Sequence, residues 1–251
     1  MGKTTSTKSL VASLDSGQRF PIILDSFRTL LDQSVRVFNV RVGEALLVRT
    51  TDEQLPTHPK HIASVRARMG TLLEAIFVTL WNEELKKETE RWSITFNYVT
   101  EYPDLYLRDN SGKVHFRLET KTLHNEADEG AARFDTWTKL IHRNEDILVI
   151  LGWKWREAVR DGVVLAWPEI VKSEALSAWA LAQERDKRLK IVGGTFGPQG
   201  QPFVCSSRTG KMIPDPGNYG KLKRIVHHSR RGEELHVDVS RLLGLLTLLY
   251  P

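Results

Sequence analysis

From Phe27 to Val48, apolar residues recur at helical spacing, at Phe27, Leu30, Leu31, Val35, Phe38, Val42 and Leu46, and predict one or two helices. Pro56 and Pro59 interrupt the pattern. It resumes at Ile62, Val65, Met69, Leu72, Leu73, Ile76, Phe77, Leu80 and Leu85, which predicts one long helix ending near Arg91. Over 93–108 the period shortens to two, with Ile94, Phe96 and Tyr98 alternating. Asp109-Asn110-Ser111-Gly112 then supplies turn chemistry before a second strand, Lys113 to Leu123. Ala127, Ala131, Phe134, Trp137 or Thr138, and Ile141 suit a crossover helix between Glu126 and Arg143. That helix would deliver the chain to Ile147-Leu148-Val149-Ile150-Leu151, an unbroken apolar run of the sort found in a strand buried on both faces.

A helix near 168–188, a Gly- and Pro-rich basic stretch over 193–232 and an apolar C-terminal helix follow. Residues 1–19 are polar and rich in Ser, Thr and Lys, and they read as a flexible tail. The expected fold class is α/β: a mixed central sheet flanked by helices, in one domain over 20–251. An N-terminal helical region and a C-terminal basic region elaborate it.

The hairpin carries the candidate chemistry. With its turn centred on Asn110-Ser111, Leu107 faces Val114, Leu105 faces Phe116 and Asp104 faces Arg117. One face then collects Leu105, Leu107, Val114, Phe116 and Leu118, which is a core face. The other collects Asp104, Tyr106, His115, Arg117, Glu119 and Lys121. Glu119 lies one step diagonal to Asp104, roughly 7 Å between Cβ atoms, and Lys121 follows two residues along on the same face. Two carboxylates so placed can share a divalent ion, and an ammonium beside them can orient a water or stabilise charge. Metal-assisted phosphodiester hydrolysis needs those parts. The same residues also suit a solvated hairpin face held by an Asp104–Arg117 pair. Glu74 is the only charged residue between Met69 and Trp81, flanked on its own face by Gly70, Phe77, Val78 and Trp81. Burial of that carboxylate without a metal or basic partner would be costly.

Pro103-Asp104 followed by Glu119-Thr120-Lys121 resembles the motif of the PD-(D/E)xK nuclease superfamily, whose core is described as αβββαβ. The expected elements over about 60–155 are compatible with that core. The resemblance implies that Asp104 and Glu119 are metal ligands, that Glu74 is the additional acid from the preceding helix, and that Lys121 is the catalytic lysine. It also implies Mg²⁺ as cofactor, with Mn²⁺ able to substitute. Among members of this size the type II restriction endonucleases compare best, which implies double-stranded DNA as substrate and a two-fold homodimer.

Charge adds to the picture. The net charge is +5, and residues 205–231 hold seven Lys or Arg against one acid, Asp215. Arg208, Lys211, Lys221, Lys223 and Arg224 are therefore candidate phosphate contacts. Asn125 and Arg133, after the second hairpin strand, are candidate groove contacts, although Asn125 equally suits a helix N-cap. The single cysteine, Cys205, excludes an internal disulfide and fits a reducing compartment. The longest apolar run, Leu242 to Leu249, is too short to span a bilayer. A bacterial or archaeal cytoplasm is the expected setting, with no membrane partner.

Overall fold

Ile147 to Leu151 are all essentially inaccessible to solvent, because helices cover both sides of the strand that carries them. The computed structural model describes residues 6–50, 59–99, 102–126, 139–191, 193–198, 201–215, 221–222 and 234–250. Its main sheet has six strands: β1 (Arg49–Thr50), β2 (Trp92–Phe96), β3 (Leu105–Asp109), β4 (Val114–His124), β5 (Asp146–Arg160) and β6 (Val163–Ser177). They lie in the order β1-β6-β5-β4-β3-β2, with β4 and β5 parallel and the other neighbours antiparallel. The helices are α1 (Ser6–Asp15), α2 (Phe20–Val37), α3 (Gly43–Leu47), α4 (Pro59–Lys86), α5 (Ala178–Ile191) and α6 (Val237–Leu249), with a π-helical turn at Phe38–Val42 between α2 and α3. The class is the mixed α/β one expected.

Successive side chains of a strand point to opposite faces, and β5 uses both. Ile147, Val149 and Leu151 join Leu118 of β4 in a core with Phe27 of α2 and with Leu73 and Phe77 of α4. Leu148 and Ile150 join Leu123 of β4 in a second core with Leu181 of α5 and with Leu242 and Leu245 of α6. An uninterrupted apolar strand is the consequence of this two-sided cover.

Two expectations need correction, and a third falls largely outside the described residues. Residues 1–19 are not all a tail: Ser6–Asp15 form α1, which buries Leu10 and Leu14 against α2 and α4. Leu10 and Leu14 stand one helical turn apart, while Ser13 returns its hydroxyl to the Ser9 carbonyl at 2.8 Å; the polar composition hides that stripe. The helix expected near 168–188 is a strand as far as Ser177. β6 pairs with β5 along its whole length through a two-residue turn, Asp161-Gly162, with both φ angles positive. Such Asp-Gly turns match the twist of the flanking strands. The helix begins at Ala178, where the Ser177 hydroxyl accepts from the Ala180 amide at 3.3 Å. Of the crossover helix expected over 126–143, residues 127–138 lie outside the described residues, and Lys139 and Leu140 form a turn.

The long helix is where it was expected, and it packs tightly on β4. A Cβ at Gly70 would come within 2.6 Å of Thr122 Oγ1, so glycine is what lets α4 lie this close to the strand. Gly70→Ala should lower the urea midpoint, because overpacking costs of roughly 1–3 kcal/mol exceed the helix-propensity gain of about 1 kcal/mol. An unchanged or raised midpoint would contradict this account of the contact.

Candidate active site

The β3–β4 hairpin pairs Leu105 with Leu118, Tyr106 with Arg117 and Leu107 with Phe116, then shifts at a bulge to pair Arg108 with Val114. The ladder is thus displaced by two residues from the expected one, and the turn explains it. Asp109 N–H donates to the Lys113 carbonyl at 3.1 Å, Gly112 N–H donates to the Asp109 carbonyl at 2.9 Å, and Gly112 takes a left-handed φ of 85°. The Asp109 carboxylate also accepts from the Ser111 amide at 3.0 Å and the Lys113 amide at 3.1 Å. The result is a three-residue turn with a glycine bulge in place of a two-residue turn. An even displacement keeps every side chain of the ladder on its expected face. Carried one step past Leu105, it sets Asp104 level with Glu119 instead of Arg117.

Arg117 has a different partner. Its guanidinium holds Asp146, at the start of β5, through Nε at 2.7 Å and Nη2 at 2.5 Å. Asp146 is 0% exposed and also accepts from the Tyr102 hydroxyl at 2.6 Å and the His142 amide at 3.0 Å. Burial and the neighbouring Asp146 carboxylate push the Tyr102 hydroxyl far above its ordinary pKa, so it stays a donor. The Asp104–Arg117 pair of the solvated-face alternative is therefore not formed.

Asp104 instead turns to β4. Its Oδ2 accepts from the Thr120 amide at 2.8 Å and from the Thr120 hydroxyl at 3.1 Å. The same hydroxyl donates to Glu74 Oε2 on α4. One hydroxyl proton thus stands between two carboxylates. Glu119 and Lys121 alternate with Thr120 and so leave β4 on the side facing α5 and α6, while Thr120 and Glu74 meet on the α4 side. The acids therefore approach the middle of β4 from both sides of the sheet, with Asp104 beside the strand. The single shared face expected from the sequence is corrected accordingly.

Lys121 Nζ donates to Glu119 Oε1. Glu119 is 8% exposed, and its Oε2 is buried with no hydrogen-bond partner among the described residues. Burial raises the Glu119 pKa above the usual carboxylate value, Lys121 works against that rise and Asp104 adds to it. Burial likewise raises Glu74, opposed by the Thr120 hydrogen bond and assisted by the Asp104 charge. The four expected catalytic residues are thus brought into one electrostatic unit. Among the described residues, however, no three His, Cys, Asp or Glu side chains are gathered closely enough to hold a metal ion. A ready three-carboxylate cage over Asp104, Glu119 and Glu74 is not formed, because Lys121 occupies one oxygen of Glu119 and Thr120 engages the other two acids. The orphaned Glu119 Oε2 and the hard oxygen donors of Asp104 and Glu74 still suit a divalent cation.

The raised carboxylates set a sign for pH. A group whose folded pKa lies above its unfolded value stabilises the fold below the unfolded value and loses that contribution as pH rises through the folded one. The stability owed to Glu74 and Glu119 should therefore decline upward from about pH 4.5, the ordinary glutamate value. In urea titrations at pH 5, 6 and 7, Glu119→Gln should lose stability less steeply than the parent chain. Parallel slopes would argue against the raised Glu119.

The expected DNA contacts are spread out. Asn125 lies in the turn after β4, its amide donating to the Trp153 carbonyl at 3.0 Å. Arg208 and Lys211 are exposed at the tip of a hairpin in a separate three-stranded sheet, β7 (Thr195–Phe196), β8 (Pro202–Cys205) and β9 (Met212–Pro214). Lys221 is half-buried next to the buried Leu222. Arg133, Lys223 and Arg224 lie outside the described residues. Sequence reasoning passed over Thr120 as the variable position of the motif, and over Asp146, whose only signal is an acid directly before an apolar strand. No described helix is long and apolar enough to cross a membrane. No protein-family model, curated protein or solved structure matches this chain.

Proposed function

We propose that the chain is a Mg²⁺-dependent DNA endonuclease of the PD-(D/E)xK kind, with type II restriction as its setting and α4, β2, β3, β4 and β5 as its restriction-endonuclease-like core. The observation that carries this reading is the meeting of Asp104, Glu119, Lys121 and Glu74 around the middle of β4, with Glu119 Oε2 buried and unpartnered among the described residues. Asp104 and Glu119 would hold the cation, with Glu74 as the further acid, and Mn²⁺ could replace Mg²⁺. Such an ion polarises a phosphoryl oxygen and acidifies a water.

The chain's own groups do the rest. Lys121 keeps Glu119 in place and presents its ammonium to the attacking water or the anionic phosphate. Thr120 fixes Asp104 and Glu74 through its amide and hydroxyl. Arg208, Lys211 and Lys221 contribute positive charge for the DNA backbone, and cutting both strands of a palindrome calls for a two-fold homodimer.

Plasmid incubated with the protein and Mg²⁺ should give discrete fragments, and EDTA should abolish them. Cutting confined to branched or damaged DNA would instead indicate a repair or recombination nuclease. The pairing of Lys121 with Glu119 favours a second reading, a non-catalytic DNA-binding protein, since it leaves no ready cage for a cation. A gel shift with no cleavage under any divalent metal would establish that reading and sink the first.

A further inference from the structure

Past Lys121, β4 ends at His124 beside a recess of about 100 Å³ between that strand end, the middle of β5 and the start of α4. We infer that this recess binds a single nucleobase. His124 is 4% exposed, and its Nδ1 accepts from the Glu126 amide at 3.2 Å. Burial, with the Arg66 guanidinium nearby, lowers its pKa to about 4, so at neutral pH the ring is uncharged and its one proton sits on Nε2. That Nε2 is buried with no hydrogen-bond partner among the described residues. His124 lines the recess, and a buried donor left without a partner calls for an acceptor.

The walls narrow the class of ligand. The His124 ring meets Trp153 edge-on at 4.4 Å, Trp155 stands at 5.4 Å from Trp153, and Ile62 and Val65 of α4 complete the apolar lining. At the rim, Arg66 and Glu126 face each other at 3.6 Å and offer a donor and an acceptor. A nucleobase supplies a flat face for the aromatic wall, a ring nitrogen or carbonyl for the Nε2 proton, and edge groups for Arg66 and Glu126. An aliphatic ligand would leave Nε2–H unpaired. A bare phosphate would meet the Glu126 carboxylate and no free wall charge.

His124 lies four residues beyond Thr120 on the same α4-facing side of β4, roughly 13 Å along the strand, a span that a base swung out of a DNA strand can bridge. That placement rests on the nuclease reading; the base-binding chemistry does not. The base can belong to a nucleic-acid strand or to a free nucleotide, and one experiment separates these sources.

The full chain in EDTA should be titrated with each of the four deoxynucleoside 5′-monophosphates and with a mixed-sequence single-stranded 12-mer, following tryptophan fluorescence. Saturable quenching is expected. His124→Phe, which keeps the ring and loses the donor, should weaken it at least tenfold, and Arg66→Ala, at a half-exposed rim position, at least threefold. Saturation by a mononucleotide identifies a free-nucleotide pocket, and saturation by the 12-mer alone identifies a base presented by a strand. No saturable quenching by any of the five ligands, or equal affinity in both variants and the parent, overturns the proposal. Because no divalent cation is present, binding can succeed where plasmid cleavage fails, and the reverse, so the two readings stand or fall separately.

Discussion

Lys121→Ala should reduce Mg²⁺-dependent DNA cleavage by about 10²–10³-fold, the usual cost of losing one positioned charge-stabilising group. The loss has two parts. The ammonium that would attend the water or phosphate disappears, and Glu119, 8% exposed, loses the hydrogen bond that holds Oε1. Because Lys121 opposes the burial-driven rise in the Glu119 pKa, the variant's rate should also recover partly at higher pH, where the carboxylate ionises again. Initial rates on plasmid across pH 6–9 measure both. A variant that cuts at the parent rate over this range removes Lys121 from the chemistry.

Asp146→Ala should destabilise the fold by about 3–5 kcal/mol, the range for breaking a buried ion pair from one side. Asp146 is fully inaccessible and accepts from Tyr102, Arg117 and His142. Its removal leaves a half-buried guanidinium uncompensated at the point where β4 and β5 begin their parallel pairing, Arg117 with Asp146. Tyr102 stands two residues before Asp104, so cleavage should fall too, even at temperatures where the variant remains folded. Urea denaturation measures the first effect, and a loss below about 1 kcal/mol would show that the network contributes little.

Much of the architecture was legible because it rests on periodicity. The stripe from Ile62 to Leu85 gave α4, the alternation after 93 gave β2 and β3, and Ile147–Leu151 gave a strand covered on both sides. Two-residue alternation made it legible that Glu119 and Lys121 share a face of β4, but not that Asp104 and Glu74 would both engage Thr120, which points to the other face. What escaped depended on turns and distant partners. The part of β6 from 168 to 177 reads as helix in the sequence, although Asp161-Gly162 announces a tight hairpin. The displaced hairpin register followed from Asp109 capping its own turn. No local pattern tells Arg117 to choose Asp146, far along the chain, over Asp104 nearby.

The bulged turn at Asn110-Ser111-Gly112 makes the hairpin tolerant in an asymmetric way. Its slide by two residues leaves the inward and outward sets intact, whereas a slide by one would exchange them and point Glu119 and Lys121 toward α4. An insertion in this loop would therefore leave the acids in place only if a longer turn or a further bulge absorbed it, with β4 kept in register by its pairing with β5.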